Sequence, residues 1–178
     1  METRQHELSA PDTSYFRQLG PQDGTKLQAF FVSLDFDQRR SYFGGALSDQ
    51  AITEFCEAVD WDRMRIIACS TPSCLEAIAF ISYTLPSCET AELSMVCSQN
   101  CDRSRTVHHL FDLATATAPA DCELIVHREF AMPELIQLVH ERSIGEIAVD
   151  EIRIQPRLIS RLRTAESFAA NSTGNSAT

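Results

Sequence analysis

The sequence lacks several features whose absence narrows its class. No apolar run comes near the roughly 20 residues that a bilayer-spanning helix needs. The opening segment, METRQHELSAPD, has no apolar signal core. A soluble, cytoplasmic protein is therefore expected. Positive charge is scarce: 15 Lys and Arg stand against 25 Asp and Glu, giving a formal net charge of −10. A field of that sign repels phosphate, so it disfavours nonspecific nucleic-acid and anionic-membrane binding and leans toward cationic partners. Lysine is nearly absent: Lys26 stands alone among the 15 basic residues, a bias with no physical account. The chain has no Cys-x-x-Cys pair, no glycine-rich dinucleotide fingerprint and no Gly-Lys-Ser/Thr phosphate loop.

What is present is ordinary for a globular α/β chain: 178 residues, 44% hydrophobic and 22% charged. That length suits one domain, expected over 14–160, with polar tails at 1–13 and 161–178. The seven cysteines are an odd number with no secretion signal, which reads as reduced thiols buried as small hydrophobes.

Periodicity orders the elements. Tyr15 to Leu19 is a short strand. Leu27, Phe30, Phe31 and Leu34 repeat at i, i+3, i+4, i+7, one face of a helix. A second short helix through Arg39 to Phe43 is stopped by Gly44-Gly45. Ser48 caps a third, with its stripe at Ile52, Phe55, Cys56 and Val59. Residues 64–70, 75–85 and 91–98 read as strands joined by short turns, an antiparallel meander. Val107, Leu110, Phe111 and Ala114 mark a helix over 103–118. Residues 122–128 form a strand, Pro133 opens a helix with Gly145 beyond its end, and 146–154 is a last strand with a bulge at its parity shift. The sum is an α/β (α+β) domain: one mixed, mostly antiparallel sheet with helices on both faces.

That order, with YFRQLGPQDGTKLQAFFVSLDFDQRRSYFGG, Val59-Asp60-Trp61-Asp62-Arg63, AELSMVC and Ile144-Gly145 in it, resembles the GNAT superfamily of acyl-CoA N-acyltransferases, in particular a bacterial branch with protein-lysine acetyltransferase domains. The resemblance covers roughly 14–154. It implies acetyl-CoA or another acyl-CoA as co-substrate and no metal. Its pantetheine arm would lie along the edge of the fourth strand at Met95, Val96 and Cys97, where that strand splays from the fifth. The pyrophosphate would sit on amides opening the next helix. A primary amine, on a small molecule or a protein lysine, would attack the thioester while a carboxylate takes its proton. Homodimers made by strand or helix exchange are a habit of the family.

The diagnostic Gln/Arg-x-x-Gly-x-Gly/Ala motif is degenerate. It falls on Asp102-Arg103-Ser104-Arg105-Thr106-Val107, with all three key positions changed. Arg103 and Arg105 either hold phosphate through their side chains or form a solvated first turn. Glu92 is the candidate base or an exposed strand carboxylate; alternation puts it on one face with Ser94 and Val96, opposite Leu93, Met95 and Cys97. Glu89 is a weaker candidate. The usual acid, a tyrosine four residues before the late glycine, is replaced by Glu141 beside His140, each equally a surface residue. His108-His109 point about 100° apart on a helix and share one metal poorly. Cys97 or Cys101 would approach the cleft, but direct aminolysis needs no thiol nucleophile. Arg153, Arg157, Arg161 and Arg163 form a basic run, either a dock for an acidic partner or a solvated segment. Two functions stay open: an N-acetyltransferase, or a GNAT-fold protein that has lost acyl-CoA binding and serves a protein partner as an interaction or regulatory module.

Overall fold

The computed structural model describes residues 14–45, 47–83, 89–99, 101–119, 121–142 and 145–156. The expected tails at 1–13 and 161–178, together with Cys88, Ile144, Arg157, Arg161 and Arg163, lie outside them. Chain order is β1 (Tyr15–Gln18), a 3-10 turn at Pro21–Asp23, α1 (Gly24–Ser33), α2 (Phe36–Phe43), α3 (Asp49–Glu57), β2 (Met64–Ser70), β3 (Leu75–Tyr83), β4 (Thr90–Cys97), α4 (Arg103–Thr117), β5 (Glu123–His127), a 3-10 turn at Arg128–Phe130, α5 (Pro133–Arg142), β6 (Gly145–Ile147) and β7 (Glu151–Ile154). The strands make one sheet in the order β1-β2-β3-β4-β5-β7-β6, in which only β4 and β5 run parallel.

Two cores flank the sheet because the central strands are apolar on both faces. Ile66, Ala68, Ile78 and Phe80 meet Leu27, Phe31 and Ile52 of α1 and α3 on one side. Ile67, Ala79, Leu93 and Met95 meet Leu110, Phe111 and Leu138 of α4 and α5 on the other. The helix signals are local. Ser48 Oγ accepts the Ala51 amide at 3.2 Å. Asp35 and Gln38 cap α2 reciprocally, Oδ1 taking the Gln38 amide at 2.7 Å and Gln38 Oε1 taking the Asp35 amide at 3.0 Å. Gly44 ends α2 at φ +69°, where a Cβ would also meet the Phe130 ring at 3.2 Å.

One expectation is corrected. Residues 146–154 are not a bulged strand but a hairpin, β6 and β7, with Ala148 to Asp150 at the turn. The parity shift is the reversal itself: Ala148 N–H donates to Glu151 O at 2.9 Å, and Val149 is 83% exposed. Gly145 stands past α5 as expected and also opens β6, where a Cβ would collide with the Arg153 carbonyl.

At the start of the fold, Arg17 grips Asp23 with two guanidinium nitrogens, at 2.8 and 2.7 Å. The Asp23 side chain is only 7% exposed. The Arg17 hydrogen bonds, helped by the Gly20 amide and opposed by burial, hold its carboxyl down to about 2. A depressed folded-state value stabilises above the ordinary carboxylate range, and that contribution is lost as pH falls toward 2. By linkage it is worth about 2 kcal/mol at neutral pH. Urea unfolding of Asp23→Asn at pH 7 is therefore expected to show a loss of about 2 kcal/mol or more, because Arg17 is left without its anion. The gap between wild type and variant should narrow when the titration is repeated near pH 2.5.

Candidate active site

The site is set by where two strands part. β3 holds β4 from Ala91 to Cys97. β5 pairs β4 only at Thr90, Ala91 and Glu92. Among the described residues, no strand lies beside the other edge of β4 from Leu93 to Cys97: β5 diverges after Glu92 and pairs β7 along its own far edge from Leu124 to His127. The expected splay is therefore present, and Glu92 sits at its fork. Part of the gap is bridged by α2: Gln38 Nε2 donates to Cys97 O at 3.0 Å, and the Tyr42 and Ser94 hydroxyls lie 3.2 Å apart.

Two cavities occupy the parting. The first, about 290 Å³, is lined by Met95, Val96 and Cys97, with Gln38 and Arg103 beside them. The second, about 330 Å³, is lined by Glu92, Ser94, His127 and an aromatic wall. Tyr42, Met95 and Phe130 border both. Of the residues expected to hold a donor, the structure thus gathers Met95, Val96, Cys97 and Arg103 at one cavity. Ser104 and Arg105 are exposed on the first turn of α4, while Thr106 and Val107 are buried at 6% and 0% exposure.

The start of α4 differs from a plain phosphate cradle. Asp102 is its N-cap, with Oδ1 accepting the Arg105 amide at 3.3 Å, and the Thr106 amide is bonded to Asp102 O at 2.9 Å. A carboxylate of the chain itself therefore takes the place that a helix N-terminus offers an anion. Asp35, Asp37 and Glu134 also line the first cavity, where Arg103 is the cation among the lining residues.

Glu92 is 63% exposed and lies 3.5 Å from His127, which sequence reasoning missed. The available signal was strand parity: in β5, Leu124 and Val126 are buried, so Ile125 and His127 point the other way, toward Glu92. Tyr42 was also missed as a site residue, since its spacing marks only an apolar helix face. Burial pushes its phenol well above the ordinary range despite the Ser94 contact, so it stays a neutral donor. Glu141 and His140 are exposed on α5, with Glu141 bonded to Gln137 at 2.6 Å. Glu89 lies in the turn before β4, where its carbonyl takes the Glu123 amide. His109 stacks on Phe16 at 5.3 Å, and among the described residues no three His, Cys, Asp or Glu side chains are placed to hold a metal. No described helix is long and apolar enough to cross a membrane.

Tyr42→Phe keeps the ring contacts with Phe31 and Phe43 but leaves Ser94 without its partner. Thermal or urea unfolding should show a loss of about 1 kcal/mol with the fold intact.

No protein-family model matches this chain, and no curated protein matches it in sequence. Solved structures do. The GNAT domain of S. lividans PAT aligns over 79% of this chain and 88% of its own, at 12% identity and TM-score 0.52. A GNAT-family acetyltransferase from Streptococcus pneumoniae aligns over 80% and 96%, at 15% identity and TM-score 0.53. Spermidine N-acetyltransferase from Vibrio cholerae, solved with CoA and spermine, aligns over 82% and 98%, at 15% identity and TM-score 0.54. Likeness at such identities is one of architecture, and on that ground the chain has the GNAT acyltransferase fold.

Proposed function

We propose that the protein is an amine N-acyltransferase that takes its acyl group from acetyl-CoA or a related acyl-CoA. The observation that carries this reading is the fork at Glu92. A strand edge with no described strand beside it, bonded by Gln38 at Cys97 O, runs along one cavity, and a carboxylate opens into the other. A donor arm laid on that edge would gain backbone hydrogen bonds as an added strand does. Its thioester would then meet an amine across the wall shared by Tyr42, Met95 and Phe130.

The residues divide the work. The edge from Leu93 to Cys97 holds the arm. Glu92 takes the proton of the incoming ammonium, and His127 beside it steadies the carboxylate or passes the proton to solvent. Bound acyl-CoA supplies an activated carbonyl and a thiolate leaving group. The balance is simple: the ammonium loses two protons in all, the N–C bond replaces the S–C bond, the thiolate takes up one proton and the other leaves through Glu92 to solvent. Tyr42, held neutral, can donate a hydrogen bond where charge develops.

The arm fits this chain better than the phosphate end does. The glycines that let a backbone approach phosphate are absent, and Asp102 already caps α4. Arg103 and Arg105 are then the phosphate ligands, acting through side-chain charge. The same cap, with Asp35, Asp37 and Glu134 around the first cavity, supports the second reading: a GNAT-fold module without donor binding, acting through a protein partner.

Titration calorimetry separates the two. Acetyl-CoA and CoA are expected to bind. Arg105→Ala should weaken both about tenfold, and Asp102→Ser, which keeps a capping oxygen but removes the charge, should strengthen both several-fold. Glu92→Gln should leave donor affinity unchanged and lower kcat about a hundredfold or more. Absence of heat at millimolar donor, from protein shown to be folded, would leave the module reading.

A further inference from the structure

We infer that the acceptor cavity is built for a single primary amine carried on a compact aromatic body, an arylalkylamine, rather than for a polyamine or a lysine side chain. The inference rests on the acyl-transfer reading for its reaction but not for its binding chemistry.

The polar groups of this cavity are few and most stand at one end. Ser82 faces Glu92 directly across the β3–β4 pairing, and His127 reaches Glu92 from β5 at 3.5 Å. Ser94 is the other hydroxyl of the sheet wall, and it is engaged by Tyr42. Glu92 is the one carboxylate among the lining residues, so the cavity neutralises one ammonium. That ammonium belongs at the fork, next to the carboxylate that would take its proton.

The rest of the wall is apolar and wide. Tyr42, Phe43, Phe55 and Phe130 supply the rings, with Leu93 and Val126 below them. Three of the rings are braced by one another: Tyr42 meets Phe43 at 4.8 Å and 88°, and Phe43 meets Phe55 at 5.3 Å and 79°. Edge-to-face contacts of this kind fix the wall before a ligand arrives. The volume, about 330 Å³, lies within the range of compact small-molecule sites. A slender tetramethylene chain would leave much of that wall without contact. A polyamine would place its second and third charges against rings and aliphatic carbons with no further carboxylate to receive them. An aromatic body fills the same space and stacks on the same rings, while its ammonium reaches Glu92.

The test uses the full chain without donor, titrated with 2-phenylethylamine, its neutral analogue 2-phenylethanol, spermidine and Nα-acetyl-lysine amide. The amine with the ring is expected to bind tightest, with 2-phenylethanol about tenfold weaker. Glu92→Gln should erase most of that difference between amine and alcohol. Phe130→Leu, which keeps an apolar side chain at the rim, should weaken 2-phenylethylamine about tenfold and spermidine hardly at all. Tighter binding of spermidine or the lysine amide, equal binding of amine and alcohol, or no binding of any probe at millimolar concentration overturns the inference.

The same amines are then offered with acetyl-CoA. Binding of 2-phenylethylamine that depends on Glu92, with no acetyl transfer to any amine, keeps the amine site and removes the transferase. Transfer to spermidine or the lysine amide but not to 2-phenylethylamine keeps the transferase and removes this acceptor.

Discussion

Everything that gives this protein a site depends on β4 having two different neighbours. On one side β3 follows it from Ala91 to Cys97, as a hairpin partner does. On the other, β5 leaves after three pairs, while its far edge pairs β7 from Leu124 to His127. A parallel pair is joined by a crossover through α4, so no tight turn forces β5 to continue alongside β4. The chain then fills the widening gap. The α2 helix bridges it, through Gln38 and Tyr42, and the 3-10 turn at Arg128–Phe130 sets Phe130 against the end of α2. The cavities are what those bridges leave open. Gly44 belongs to the same arrangement, since its left-handed turn clears the room that the Phe130 ring occupies.

The charges of the site follow from how each helix solves its own end. A helix start must find acceptors for its free amides. Here α2 uses Asp35 and α4 uses Asp102, both good caps and both anions. Those two solutions put carboxylates around a cleft that, in a donor-binding reading, must also receive phosphates. Arg103 and Arg105 then carry a task that glycine-lined backbone performs without charge of its own. The consequence is a phosphate contact governed by side-chain electrostatics, and therefore sensitive to salt.

Most of the architecture was legible in the sequence, because local rules and the sheet agreed. The meander at β2, β3 and β4 shows in two apolar-faced runs and a turn at Thr71 to Ser73, where the Thr71 amide bonds Cys74 O at 2.9 Å. The cap at Ser48 and the stop at Gly44 are likewise written in short motifs. The reversal at Ala148 to Asp150 was not, since a three-residue turn without glycine or proline looks like a phase slip in an otherwise continuous strand pattern. For the site, Glu92 and the edge at Met95, Val96 and Cys97 are singled out by the family resemblance, on residues of β4. His127, Tyr42 and Phe130 could not be assigned to the same cavity. They lie on β5, α2 and a turn before α5, and only the tertiary parting of the strands brings them together. The aromatic wall is hidden for the same reason: Tyr42, Phe43 and Phe55 occupy ordinary core positions of two helices, and their shared exposure to a cavity is a property of the gap.

The cysteines bear on how acyl transfer would run. Cys97 is the thiol nearest the donor edge, and it lines the first cavity. Its side chain is buried, and the hydrogen bond to Cys101, together with that burial, drives its thiol far above the ordinary range. A thiol held protonated is a poor nucleophile. Cys101 borders neither cavity. Neither thiol is therefore both activated and placed to take an acyl group. Glu92 and His127, by contrast, line the second cavity itself. For the proposed acyl transfer, the arrangement favours direct attack of an amine on the thioester, in one displacement, over relay through an acyl-cysteine. In that case rate rests on how closely the shared wall of Tyr42, Met95 and Phe130 lets the two substrates approach.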